Sequence, residues 1–128
     1  MNKFNLKIGM KNESSFVVEE KHTAAAYGSG TLYVFSTPAM IGLIENSALN
    51  CVDSIIGEKY STVGIHLDVK HIAATKMGQK VRAVSELIEI EGKKLLFKVE
   101  AFDEEKKIGE GYHSRYIIDF EKFMSQFN

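Results

Sequence analysis

The sequence predicts an α+β domain in which an antiparallel sheet wraps around one long central helix. Two patterns carry that expectation. From about Pro38 to Ile56, apolar residues recur at 40, 43, 44, 48, 51, 52 and 55, the 3.6-residue period of a helix. Beyond Gly57 the period changes to two and stays there, as in long strands joined by hairpins. At 128 residues the chain suffices for one hydrophobic core and not for two, so residues 1–128 are expected to form a single domain.

The elements follow in order. The first dozen residues read as a lead-in arm, and Ser15–Thr23 as a β-strand with little alternation. Gly28-Ser29-Gly30 then breaks structure ahead of a short extended piece, Thr31–Phe35. Tyr27, Tyr33 and Phe35 in that segment suit either an aromatic flap over a pocket or an irregular connection packed into the core. Ser36 or Thr37 is the expected N-cap of the helix, and Pro38 fits its first position, where a missing N–H costs nothing. Ala39, Ile41, Leu49 and Ile56 make this helix apolar nearly all round, the mark of a helix enclosed by protein.

After the helix, Ser61–Ile72 places Val63, Ile65, Leu67, Val69 and His71 on one strand face, with Thr62, Gly64, His66, Asp68 and Lys70 on the other. Lys80–Ile90 switches apolar parity midway, which predicts a bulge. Glu91-Gly92-Lys93 is a hairpin turn into Leu95, Phe97, Val99 and Ala101. Lys107–Asp119 is the last strand, and Phe120–Phe127 a short terminal helical turn. One strand, a buried helix and four antiparallel strands describe the hot-dog fold; a cystatin-like α+β roll is the alternative.

Composition excludes several function classes. With 16 basic and 17 acidic side chains interleaved, no basic face for nucleic acid and no polybasic membrane anchor is expected. No signal-peptide pattern stands at the N-terminus, and no run of about 20 apolar residues predicts a membrane span. The single Cys51 excludes an internal disulfide and fits a reducing, cytoplasmic setting, where it serves as a small core filler. His66 and His71 have opposite strand parity and cannot share a metal, so neither a metal nor a cofactor is expected. There is no GxxxxGK[ST] phosphate loop and no GxSxG elbow.

Three polar residues break the apolar pattern: Thr37, Glu45 and His71. A carboxylate and an imidazole in an apolar setting are costly unless paired, and such positions are where acid–base chemistry is found. Glu45 is flanked by Ile41, Ala48 and Leu49, which suits a general base or nucleophile; a structural ion pair or a solvent-facing glutamate is the other reading. His71 suits a proton shuttle or a satisfied core histidine, and Thr37 a relay hydroxyl or simply the helix cap.

The helix STPAMIGLIENSALNCV, the segment STVGIHLDVKHIAAT and the strand GEGYHSRYIIDFEKF together resemble the fluoroacetyl-CoA thioesterase-like family of hot-dog enzymes. The likeness runs from about Phe16 to Phe123, and its specific marks are the Thr37–Glu45 and Glu45–His71 separations, H-x-A-A-T at His71–Thr75 and G-x-H-x-R at Gly111–Arg115. It implies hydrolysis of a short-chain acyl-CoA, with Thr37, Glu45 and His71 as the catalytic set and Gly64 and Arg115 contacting substrate. It also implies a homodimer joined edge to edge, with active sites near the interface. The family's namesake activity uses an aromatic-rich lid before the catalytic threonine. Tyr27–Phe35 is shorter, contains glycine and lacks paired phenylalanines, so a broader or different acyl preference is expected. A non-catalytic acyl-CoA-binding module and a hydroxyacyl-thioester dehydratase are the competing functions on this fold.

Overall fold

Leu95, Phe97, Val99 and Ala101 are fully buried, while the side chains between them, Leu96, Lys98 and Glu100, face outward, so one side of the sheet is the core. The computed structural model describes residues 3–128. Its strands are β1 (Lys11–Val17), β2 (Tyr60–His71), β3 (Lys80–Glu91), β4 (Lys94–Phe102) and β5 (Lys107–Asp119). They form one sheet in the order β1-β3-β4-β5-β2, with every neighbouring pair antiparallel. The helices are α1 (Ala24–Tyr27), α2 (Thr37–Ile56) and α3 (Phe120–Ser125). The sheet curls around α2, which is the hot-dog architecture expected from the sequence.

Helix α2 starts where Ser36 Oγ accepts the Ala39 N–H at 3.1 Å, and it ends at Gly57 with φ +91°. Ser36, and not Thr37, is therefore the cap, and the Thr37 hydroxyl is free for another partner. Met40, Leu43, Ile44, Ala48, Cys51 and Val52 are its buried side against the sheet. Enclosure on all sides does not occur in the single chain. Gly42, Asn46, Asn50 and Asp53 form an exposed stripe at helical spacing, narrow enough to be hidden in the apolar count. At 20 residues α2 is long and apolar enough to cross a bilayer by length and composition alone, contrary to the sequence expectation. Half of its most apolar window is buried inside the fold, as in the core helix of a globular domain.

Two elements differ from expectation. β1 begins at Lys11, within the predicted arm, and is followed by a 3₁₀ turn at Glu20–His22 and the short α1, so Ser15–Thr23 is not one strand. Of the residues that β1 turns inward, Asn12 and Ser14 are polar and only Phe16 is apolar, which conceals the strand from hydrophobic periodicity. Asn12 Nδ2 donates to the Ser47 carbonyl at 3.1 Å, and Ser14 Oγ to Asn46 Oδ1 at 2.8 Å. Thr31–Phe35 is likewise no strand; Val34 and Phe35 make only isolated bridges, to Lys76 and Thr23. The predicted bulge in β3 is present, between Leu87 and Glu89.

A second bulge decides the site. The β2–β5 register shifts between Gly64 and His66, leaving Ile65 unpaired. Gly64 lies opposite Arg115, Leu67 opposite His113 and His71 opposite Gly109, and opposed residues share a face. Thr62 and Gly64 therefore join Leu67, Val69 and His71 on the inner face, and Val63 turns outward. Simple alternation assigns Gly64 and His71 to opposite faces; the extra residue corrects it.

Candidate functional site

Two clusters of polar side chains lie beside α2. The first stands at its N-terminus. Thr37 Oγ1 and His71 Nδ1 are 2.8 Å apart, bringing the first turn of α2 to the end of β2. Phe35 packs edge-on to the His71 ring at 6.3 Å between centroids and edge-on to Phe16. Burial is the main reason the imidazole is held below its ordinary value, partly offset by the Ala73 backbone. A neutral ring at pH 7 follows, with one nitrogen against the threonine hydroxyl. The other, Nε2, is buried and has no hydrogen-bond partner among the described residues. An unpaired buried polar atom costs about 1–3 kcal/mol, so it calls for a reason.

The pair lies on the wall of a cavity of about 450 Å³, lined also by Val34, Phe35, Ser36 and Ile72. Its rim is fixed by the H-x-A-A-T segment. The Thr75 carbonyl accepts the Phe35 N–H at 2.8 Å, and Thr75 Oγ1 donates to the buried Asp103 carboxylate at 2.8 Å. The segment before the helix divides both sequence readings between its residues. Phe35 is buried in the core, whereas Tyr27, Leu32 and Tyr33 stand in solvent.

The second cluster is about two turns further along α2, around Glu45. Glu45 Oε2 is 3.9 Å from Arg115 Nη1. A Cβ placed on Gly64 would lie 2.7 Å from that oxygen, 3.2 Å from His113 Cε1 and 3.4 Å from Arg115 Nη1. The missing side chain of Gly64 is thus what admits the carboxylate, the imidazole and the guanidinium to one place. Arg115 is buried, donating from Nε to Thr62 Oγ1 at 2.8 Å and from Nη2 to the Thr62 carbonyl at 3.0 Å. Burial lowers its pKa, with Glu45 and then Asp53 acting against that, and the group remains a cation. The Glu45 side chain is 39% exposed, so it lies at the margin of the core and not within it.

The structure therefore joins Thr37 to His71, and Glu45 to Gly64 and Arg115, but does not join the two groups within one chain. Eight residues of helix separate Thr37 from Glu45, a rise of about 12 Å, beyond hydrogen-bond reach. His66 and His71 point to opposite faces as their spacing requires, and no group of three metal-ligating side chains occurs among the described residues. Sequence reasoning leaves His113 as a structural residue and places Thr62 on the face opposite His71. Their signal was present in part, since His113 and Arg115 share strand parity, but Thr62 joins them only through the bulge.

Several known proteins are similar to this chain. The family described as fluoroacetyl-CoA-specific thioesterase matches residues 18–121. The fluoroacetyl-CoA thioesterase of Streptantibioticus cattleyicolor is 36% identical over 90 residues, which are 70% of this chain and 65% of that enzyme. The chain thus aligns with just under two thirds of that relative's length. The solved structure of the fluoroacetyl-CoA thioesterase FlK superposes with a TM-score of 0.89 at 29% identity, covering 96% of each chain. A hot-dog-like protein from Thermanaerovibrio acidaminovorans superposes with a TM-score of 0.88 over 98% of this chain and 95% of that one, and at 18% identity it speaks to the fold alone.

Proposed function

The chain belongs to the fluoroacetyl-CoA-specific thioesterase family, and from that membership we propose that it hydrolyses a short-chain acyl-CoA to the carboxylate and free CoA. The observation that carries the reading is the Thr37–His71 pair, with its unpartnered Nε2, on the wall of an open cavity. In the overall reaction water adds to the thioester carbonyl carbon, the C–S bond breaks, and the thiolate leaves with a proton. Glu45 supplies or activates the attacking oxygen. The neutral His71 takes and returns the proton, and the Thr37 hydroxyl orients the ring and the substrate carbonyl. Gly64 allows close approach of backbone to substrate, and the Arg115 cation holds negative charge near the carboxylate.

The same geometry supports a dimeric assembly. β2 is an edge strand of 12 residues whose Gly64–Asp68 stretch is exposed, with Ile65 and Leu67 among it, and such an edge invites pairing with another copy. In a two-fold dimer joined through β2 the two strands run antiparallel. The Gly64 end of one strand then lies toward the His71 end of the other, so the Glu45 cluster of one subunit faces the Thr37–His71 pair of its partner. A homodimer with two composite sites accounts for why the three catalytic residues are not adjacent in a single chain. A cytoplasmic location accords with one free, buried cysteine.

The test is release of free thiol from a panel running from acetyl-CoA to aromatic acyl-CoAs. Glu45→Gln and His71→Ala are each expected to lose at least about a hundredfold in kcat, the scale of an acid–base group. Saturable binding without thiol release would turn the reading to a binding module. Water loss across a C–C bond with the thioester intact would turn it to a dehydratase.

A further inference from the structure

We infer that His113 is a positioning residue for Glu45, acting through Arg115 as a fixed hydrogen-bond acceptor. The inference rests on the proposed catalytic role of Glu45. His113 is fully buried on the inner face of β5, one of the central strands. Its Nδ1 lies 2.8 Å from the His66 carbonyl oxygen, which only accepts, so Nδ1 carries the hydrogen. Its Nε2 lies 3.2 Å from Arg115 Nη1, which only donates, so Nε2 presents its lone pair. Both bonds hold together only for the neutral Nδ1–H tautomer. Burial first, and the adjacent guanidinium besides, keep the ring below its ordinary pKa and uncharged.

The consequence falls on Arg115. Thr62 holds Nε and Nη2, and His113 holds Nη1, the nitrogen that faces Glu45. So restrained, Nη1 stands 3.9 Å from the carboxylate, close enough for charge to attract but too far for a direct hydrogen bond. Without the acceptor, Nη1 is free to close that gap and draw the carboxylate off its line of action. The same ring also touches the β2 bulge through His66, so one side chain ties the carboxylate's cation to the strand that creates the Gly64 opening. An apolar core residue would fill the space and do neither.

Two substitutions separate the two bonds. His113→Asn places an amide N–H near the Nδ1 position and leaves Arg115 without an acceptor. His113→Gln places an amide oxygen near the Nε2 position and gives the acceptor back. His113→Asn is expected to lower kcat about 10- to 100-fold with KM within about twofold, and His113→Gln to recover most of that loss. Long-range proton–nitrogen NMR on the wild type is expected to report the Nδ1–H tautomer, a readout independent of hydrolysis. Wild-type kcat in His113→Asn, losses in both variants that only track the folded fraction, or an Nε2–H tautomer would each overturn the inference. A wild type that releases no thiol fails earlier, at the thioesterase reading itself; an active wild type with an indifferent His113→Asn overturns this inference alone.

Discussion

Replacing Gly64 with alanine separates the chemistry of the site from the stability of the fold. The φ of Gly64 is not in the left-handed region, so alanine meets no backbone penalty there. What it meets is the site itself. The new methyl would stand 2.7 Å from Glu45 Oε2, where ordinary contact begins at 3.4 Å. The carboxylate must therefore retreat by about 0.7 Å, and a misplacement near 1 Å costs on the order of a hundredfold in rate. The His113 ring and Arg115, at 3.2 and 3.4 Å, need to give by only a few tenths of an ångström. Since the principal clash is with the flexible end of a half-exposed side chain, the stability cost should stay below about 2 kcal/mol. Thiol release on the preferred acyl-CoA gives kcat and KM, and urea unfolding gives the stability. A Gly64→Ala protein with wild-type kcat would show that the position of Glu45 is irrelevant to turnover. A protein inactive only because it is unfolded would show that Gly64 serves the fold and not the site.

Three further outcomes follow. Because burial lowers the His71 pKa, the acidic limb of kcat/KM should fall below pH 6.5, the unperturbed histidine value; a limb above 6.5 would show that His71 is not the group that must be neutral. Burial alone would raise the Asp103 carboxyl, but hydrogen bonds from Lys106, Glu105 and Thr75 outweigh it and bring the pKa from 3.8 down to about 2. Asp103 thus contributes stability that is complete above pH 3.8 and lost as the pH falls toward 2, roughly 2 kcal/mol in all, and Asp103→Asn should remove about that much at pH 7 by urea unfolding. If the proposed composite site is right, Ile65→Lys, on the exposed edge of β2, should shift sedimentation from dimer to monomer and abolish turnover together. Monomers that retain activity would refute the composite site.

The sequence alone determined the architecture, because burial imposes its period directly on the residues. The helix read from 40, 43, 44, 48, 51, 52 and 55, the four long strands after Gly57 and the β3 bulge are all present. The residue types at Thr37, Glu45 and His71 were equally legible, since polar groups in an apolar pattern stand out wherever they lie. β1 was not legible as it stands, because two of its three inward side chains, Asn12 and Ser14, are satisfied by hydrogen bonds to α2, and Phe16 alone makes no hydrophobic period.

What only the tertiary structure decided is how those polar residues are grouped. Ser36 takes the helix cap and releases the Thr37 hydroxyl to His71, a choice between adjacent hydroxyls that depends on backbone geometry. The unpaired Ile65 inverts strand parity and brings Thr62 and Gly64 to the inner face, and a one-residue slip of this kind leaves no mark in a run of Val, Gly, Ile, His and Leu. The rise of α2 then sets Glu45 a helical distance away from Thr37, so Thr37, Glu45 and His71, the set implied by the family resemblance, divide into two clusters. Spacing along a chain specifies which residues an element can present; which of them meet is fixed by register, by bulges and by the surfaces left open at the edge of the sheet.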